Sequence, residues 1–86
     1  MSKSFYVVSK DNCPQCERFI SEARAAGAEV EVDKIGSDIQ MSELLNKVSQ
    51  FGGSAPRSAP VVFAGTKDNT TGYIGEYVAA KQYLNS

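Results

Sequence analysis

The chain has 86 residues, of which 42% are apolar, so it can fill one small hydrophobic core but not two. Its 9 basic and 10 acidic residues give a formal charge of −1, which excludes a basic surface for nucleic acid. No stretch approaches the roughly 18 apolar residues of a membrane span, and Met1 to Ser9 lacks the residue order of a secretory signal. We therefore expect one domain, residues 1–86, in the cytoplasm, with neither nucleic acid nor a membrane as partner.

The first half of the chain is predicted to form a strand, a helix and a second strand. Phe5-Tyr6-Val7-Val8 is a run of β-forming residues. In the second strand, Val30 and Val32 alternate with acidic residues expected on the solvated face of a sheet edge, namely Glu29, Glu31 and Asp33. Between the strands a helix is predicted to begin at Cys13-Pro14 and to end at Gly27, because proline favours the first helical position and glycine the end. Its apolar face consists of Phe19, Ile20 and Ala23.

The second half is predicted to form a helix, a hairpin and a final helix. The second helix has Ser37 or Ser42 as its N-cap, ends at Gly52, and carries apolar residues at helical spacing, namely Leu44, Leu45, Val48 and Phe51. After Pro60, the hairpin consists of the strand Val61-Val62-Phe63, a loop over Gly65 to Thr70, and the return strand Gly72-Tyr73-Ile74. The apolar side of the last helix consists of Tyr77, Val78, Ala80, Tyr83 and Leu84. The resulting order, βαβ, α, ββα, implies a mixed sheet flanked by helices.

The two cysteines, Cys13 and Cys16, carry the clearest chemical signal in the sequence. A disulfide between them would close a very small loop. Because such a loop constrains the unfolded chain little, the disulfide would add little to the stability of the fold. The chain has no histidine and no other cysteine, so it cannot build a closed zinc site of the usual composition, and we predict no metal site. The spacing instead predicts a redox pair.

A Cys-x-x-Cys pair at a helix start suits thiol–disulfide exchange. Cys13 lies where free backbone N–H groups and the helix dipole favour an anion, so we predict that Cys13 is the nucleophile. Cys16, about one turn further along, is predicted to be the resolving thiol that breaks the mixed disulfide. Pro14 fixes the turn between the two cysteines. Lys10, three residues before Cys13, adds positive potential or holds an anionic substrate group.

These residues resemble those of the glutaredoxin family almost from end to end. The resemblance lies in a strand leading to Lys10-Asp11-Asn12-Cys13-Pro14-Gln15-Cys16, in Arg57-Ser58-Ala59-Pro60 before the third strand, and in Ile74-Gly75 before the final helix. It implies a thioredoxin fold, α/β, with a four-stranded mixed sheet and three helices, as in the short phage and bacterial glutaredoxins. It also implies a monomeric dithiol oxidoreductase without a bound cofactor, in the cytoplasm, or the host cytoplasm if phage-encoded. Its partners would be protein disulfides, with ribonucleotide reductase the family's typical client.

The resemblance also implies roles for individual binding residues. Pro60 would be a cis-proline facing the dithiol, and the backbone of Ala59 would pair with an extended thiol substrate. Lys10 and Arg57 would receive the glycyl carboxylate of glutathione, the expected co-substrate. Pro14 and Gln15, between the cysteines, complete this side of the predicted site, with Gln15 replacing the aromatic residue of many members.

The turn that would bind the γ-glutamyl end of glutathione departs from the family pattern. After Gly75, Glu76 replaces a second glycine and Val78 replaces an aspartate. A carboxylate at Glu76 would repel a glutathione carboxylate, although N–H groups after Gly75 can still hold one. Either glutathione or thioredoxin reductase is therefore expected as the source of electrons.

The sequence leaves two other functional classes open. The fold can serve as a non-catalytic binding module or adaptor subunit in which the cysteines are incidental. Alternatively, a dimer can hold an iron–sulfur centre through Cys13 and an external thiol, which the neighbouring Pro14 disfavours by resemblance to catalytic dithiol members.

Overall fold

The computed structural model describes residues 3–86. Its elements are β1 (Ser4–Ser9), α1 (Pro14–Ala25), β2 (Glu29–Lys34), α2 (Met41–Gln50), β3 (Val61–Gly65), β4 (Thr70–Gly75) and α3 (Tyr77–Leu84). The four strands form one sheet in the order β2-β1-β3-β4, with β1 and β2 parallel and the other two pairs antiparallel. The predicted four-stranded mixed sheet and three helices are confirmed. Within residues 3–86, no helix is both long and apolar enough to cross a membrane.

Helices cover both faces of the sheet, because successive side chains of a strand point to opposite sides. On one face, Tyr6, Val8, Val61 and Phe63 form a buried cluster with residues of α2, Leu44 and Val48. On the other face, a second buried cluster joins the sheet to α1 and α3 and consists of Phe5, Val7, Phe19, Ala23, Val62 and Ala80. The second cluster fixes the position of α1 against the sheet, and with it the position of the cysteines.

The helix ends follow local hydrogen-bonding rules, one of which the sequence analysis missed. Helix α1 ends in a Schellman motif, in which the N–H of Gly27 donates to Arg24 O at 3.0 Å and that of Ala28 donates to Ala23 O at 3.0 Å. Gly27 has φ +86°, as this motif requires.

The prediction of Ser37 or Ser42 as the N-cap of α2 is wrong. Gln40 is the N-cap, and its N–H donates to the carboxylate of Glu43, three residues on, at 3.1 Å.

The acidic row on β2 is only partly solvated, which corrects the prediction that all three acidic side chains lie on the solvated face. Glu29 and Glu31 are exposed, but Asp33 is half-buried and accepts a 2.7 Å hydrogen bond from the hydroxyl of Tyr6. Lys67, in the turn between β3 and β4, reaches the same carboxylate at 2.7 Å. Burial alone would raise the pKa of Asp33, but the hydrogen bonds from Lys67 and Tyr6 outweigh it and hold the pKa below its usual range.

Candidate active site

Sheet pairing brings three loops to one end of the sheet. Val8, near the end of β1, pairs with Val61 at the start of β3, and the two strands are antiparallel. The residues that follow β1 therefore meet those that precede β3. Val62 pairs in turn with Gly75, the last residue of β4, so the start of α3 lies at the same end. The sequence-predicted site residues occupy these three loops and the first turn of α1.

The dithiol lies at the N-terminus of α1. Cys13 is the N-cap residue with extended backbone angles, and Pro14 is exposed at the first helical position. Cys13 and Cys16 are joined by a disulfide, with their Cα atoms 5.3 Å apart. The Sγ of Cys13 accepts a hydrogen bond from the backbone N–H of Cys16 at 3.2 Å, so this sulfur satisfies one of the free donors of the helix start. Cys13 is 7% exposed and Cys16 is 2% exposed.

Asn12 turns the chain from β1 into this helix. Its φ is 53°, in the left-handed region that asparagine tolerates better than most residues with a side chain. Asn12 is not among the site residues predicted from the sequence. The available signal was an asparagine directly before a helix start, at a position where the chain must reverse its course.

The Ala59–Pro60 segment lies against the cysteines. Cys13, Cys16 and Ala59 form a small buried cluster of their own, and Ala59 is 6% exposed. The Ala59–Pro60 peptide bond is cis, in agreement with the expectation, and Pro60 is fully buried. Within residues 3–86, neither the N–H nor the C=O of Ala59 takes part in a backbone hydrogen bond. The segment beside the cysteines thus keeps one donor and one acceptor that the described backbone does not use.

Lys10 and Arg57, which the sequence analysis assigned to one anion site, line the same cleft. This cationic cleft has a volume of about 130 Å³ and also includes Pro56, Ser58 and Ala59, with apolar walls from Ile35, Met41, Leu44 and Val61. Lys10 also lines a second cavity of about 190 Å³ that reaches Cys13 and Cys16. Lys10 thus lies between the cationic cleft and the cavity that reaches the cysteines.

A third opening lies on the α3 side of the site. This α3 groove is open, with a volume of about 510 Å³, and is lined by Gln15, Ser58, Glu76, Tyr77, Val78, Ala79 and Gln82. It brings Gln15, between the cysteines, together with Glu76, the N-cap residue of α3. Gly75, directly before Glu76, is buried and has φ +139°. Val78 is 67% exposed and contributes an apolar wall where the family pattern has a carboxylate.

Glu76 is bound to the loop that precedes Ala59. Its Oε1 accepts a 2.7 Å hydrogen bond from the hydroxyl of Ser58, and its Oε2 accepts one from the N–H of Arg57 at 3.1 Å. The hydrogen bond from Ser58 and that from Arg57 lower the pKa of this carboxyl. The contact between Ser58 and Glu76 was not predicted, and no pattern in the sequence signals it across 18 residues.

Removing the Ser58 hydroxyl is expected to raise the pKa of Glu76 toward its usual value of 4.5. Because folding lowers this pKa, ionised Glu76 stabilises the fold above the unfolded value, and this stabilisation is lost as the pH falls through the folded value. The carboxyl ¹³C shift of Glu76, followed by NMR from neutral to acidic pH, measures the change in Ser58→Ala. Ser54→Ala, an exposed serine of the same loop, is the control and should titrate like the wild type. Identical titrations in both variants would contradict the assignment.

The site and fold together define a small α/β protein with a Cys-x-x-Cys disulfide at a helix N-terminus, packed on a buried Ala-Pro segment. A scan against protein-family models found no match, and searches of curated proteins and of solved structures found none either. Among residues 3–86, no three His, Cys, Asp or Glu side chains are grouped so that they could hold a metal ion.

Proposed function

We propose that this protein is a glutaredoxin-like thiol–disulfide oxidoreductase with a thioredoxin fold. The observation that carries the proposal is the Cys13–Cys16 disulfide at the N-terminus of α1, in contact with the buried residue Ala59. The order of elements and the sheet order β2-β1-β3-β4 support the fold assignment. As proposed, the protein acts as a cytoplasmic monomer.

Three properties of the cysteines support Cys13 as the nucleophile of the reduced protein. Its sulfur lies at the positive end of a 12-residue helix, where a thiolate is stabilised by the helix dipole. The N–H of Cys16 is aimed at that sulfur and would donate to its negative charge. Cys13 is also the less buried of the two, which suits it to meet the substrate first. Such surroundings lower a thiol pKa from about 8.5 into the range of roughly 3.5–7.5.

The proposed reaction transfers two electrons from the dithiol to a substrate disulfide. The thiolate of Cys13 attacks one substrate sulfur, which forms a mixed disulfide and expels the other substrate sulfur as a thiolate that takes up a proton. Cys16 then loses its proton and attacks the Sγ of Cys13. The mixed disulfide breaks, the second substrate thiol leaves, and Cys13 and Cys16 become a disulfide. Two molecules of a thiol such as glutathione, which become one disulfide, or a reductase using NADPH, return the two electrons.

The surroundings of the dithiol support a protein disulfide as substrate. The unpaired N–H and C=O of Ala59 can hold an extended segment through backbone hydrogen bonds, without requiring a particular side chain. The cationic cleft of Lys10 and Arg57 can bind a carboxylate, either of a partner protein or of glutathione. Ribonucleotide reductase, the client suggested by the family resemblance, is one protein disulfide of this kind.

Coupled turnover tests the proposal. The protein is mixed with insulin and NADPH, together with either glutathione and its reductase or thioredoxin reductase. We expect NADPH to be consumed in at least one mixture, at a rate proportional to the concentration of this protein. If neither mixture turns over, and the dithiothreitol-reduced protein itself fails to reduce insulin, the proposal is wrong and a non-catalytic binding module is favoured.

A further inference from the structure

The Ser58–Ala59 segment separates two openings whose charged linings have opposite signs. On one side, the charged side chains of the cleft are both cationic, Lys10 and Arg57. On the other side, the single charged side chain that lines the α3 groove is Glu76. Ser58 lines both openings, so the change of sign occurs across the segment that contacts the cysteines.

Glu76 presents a negative charge that is held in position. Both of its carboxylate oxygens accept hydrogen bonds, from Ser58 and from the N–H of Arg57, so the side chain is tied to the loop beside Ala59. Glu76 is partly exposed as a residue, and both hydrogen bonds that hold its carboxylate lie at the surface. A charge fixed at the edge of a binding surface favours a partner of opposite sign and disfavours one of the same sign.

The charge of Arg57 also acts on Glu76, whose pKa it helps to lower, but within residues 3–86 no other charged side chain lines the cationic cleft or the α3 groove. Asp11 and Lys34 form an ion pair with each other at 2.9 Å, so their charges largely compensate. Glu17 lines the cavity that reaches Cys13 and Cys16, and it lines neither the cationic cleft nor the α3 groove. A segment that binds at Ala59 would therefore have the cations of the cleft on one side and Glu76 on the other.

We propose that the surface around the dithiol recognises a partner segment by its charge polarity. The preferred segment is extended, with an acidic residue on the Lys10–Arg57 side of its reacting cysteine and a basic residue on the Glu76 side. This inference rests on the proposed function and adds to it the kind of protein segment that binds. Backbone pairing with Ala59 places the cysteine, and the two flanking charges select the direction in which the segment lies.

Four capped pentapeptides test the polarity. Each has a central cysteine, held as a mixed disulfide with 2-mercaptoethanol, between two alanines. The first and last residues of the four peptides are, in that order, Glu and Lys, Lys and Glu, Glu and Glu, and Lys and Lys. The dithiothreitol-reduced protein, freed of excess reductant, is mixed with each peptide, and the release of peptide thiol is followed by chromatography. Each reaction oxidises Cys13 and Cys16 to a disulfide and yields one peptide thiol and one 2-mercaptoethanol.

We expect one of the two mixed-charge peptides to react about three to ten times faster than the peptide of reversed order, because partly exposed charge pairs contribute modestly. High salt should reduce the difference. With the Glu76→Lys variant, the peptide that has glutamate at both ends should react fastest of the four. Glu29→Lys makes the same charge change on β2, outside both openings, and should keep the wild-type ranking.

Equal rates for the two mixed-charge peptides of the wild type would overturn the inference and leave the proposed function intact. A preference that Glu76→Lys does not change would also overturn it, since Glu76 would not be its source. No reaction with any of the four peptides would overturn the proposed function as well. The wild-type comparison alone decides the inference if Glu76→Lys does not fold.

Discussion

Replacing Cys13 with serine is expected to abolish disulfide exchange, with the rate falling by at least about a thousandfold, as is typical when a catalytic nucleophile is removed. The hydroxyl of serine remains protonated at neutral pH and does not attack a disulfide. Cys16, 2% exposed and further inside α1, cannot replace the missing thiolate. The measurement is the rate at which the reduced variant reduces insulin, compared with the reduced wild type.

Cys16→Ser is the matched variant and should fail in a different way. Cys13 keeps its place at the N-terminus of α1, so the first attack proceeds, but no second thiol expels the mixed disulfide. The variant should therefore accumulate a stable adduct at Cys13, detectable by mass spectrometry of the intact protein. Retention of insulin reduction by Cys13→Ser, together with its loss in an adduct-free Cys16→Ser, would reverse the assigned roles.

Gly65→Ala is expected to cause the largest loss of stability among single glycine substitutions, about 2–4 kcal/mol. Gly65 ends β3 at a register irregularity and has φ +94°. A Cβ at this position would overlap the backbone carbonyl oxygen of Asn69, and the backbone conformation is itself unfavourable for alanine. Both effects act on the hairpin that holds Lys67 near Asp33. Urea denaturation of the variant and the wild type measures the difference.

Gly72→Ala is the control for this substitution within the same hairpin. Gly72 lies in β4, its φ is outside the left-handed region, and a Cβ there meets no atom within 4 Å. We expect its free energy of unfolding to stay within about 1 kcal/mol of the wild type. If both variants shift the urea midpoint equally, the conformation assigned to the turn at Gly65 is incorrect.

Local patterns in the sequence were sufficient to predict the elements. The runs Phe5–Val8 and Val61–Phe63 are short and rich in β-branched and aromatic residues, and they form the two central strands. The N-cap of α2 was misassigned because Ser37 and Ser42 are better capping residues than Gln40, and preference was weighed without the Glu43 side chain that reaches back. The return strand begins at Thr70 rather than Gly72, because pairing with Gly65 extends the ladder into the predicted loop.

The candidate site could be predicted only where its chemistry lies in neighbouring residues. Cys13, Pro14 and Cys16 form one local motif, and its position at a helix start follows from proline. The contact between Glu76 and Ser58 joins two loops whose approach depends on the register of β3 and β4. The contact of Tyr6 with Asp33 likewise depends on the pairing of β1 with β2, and no local pattern encodes either one.

The proposed mechanism requires Cys13 to be a stabilised thiolate in the reduced protein, and alkylation of the two cysteines tests this claim. The reduced protein is treated briefly with iodoacetamide from about pH 4 to pH 10, and peptide masses identify the modified cysteine. We predict modification of Cys13 with a midpoint well below the usual thiol pKa of about 8.5, while Cys16 is protected. Modification of both cysteines at similar rates, with a midpoint at or above about 8.5, would contradict the claim.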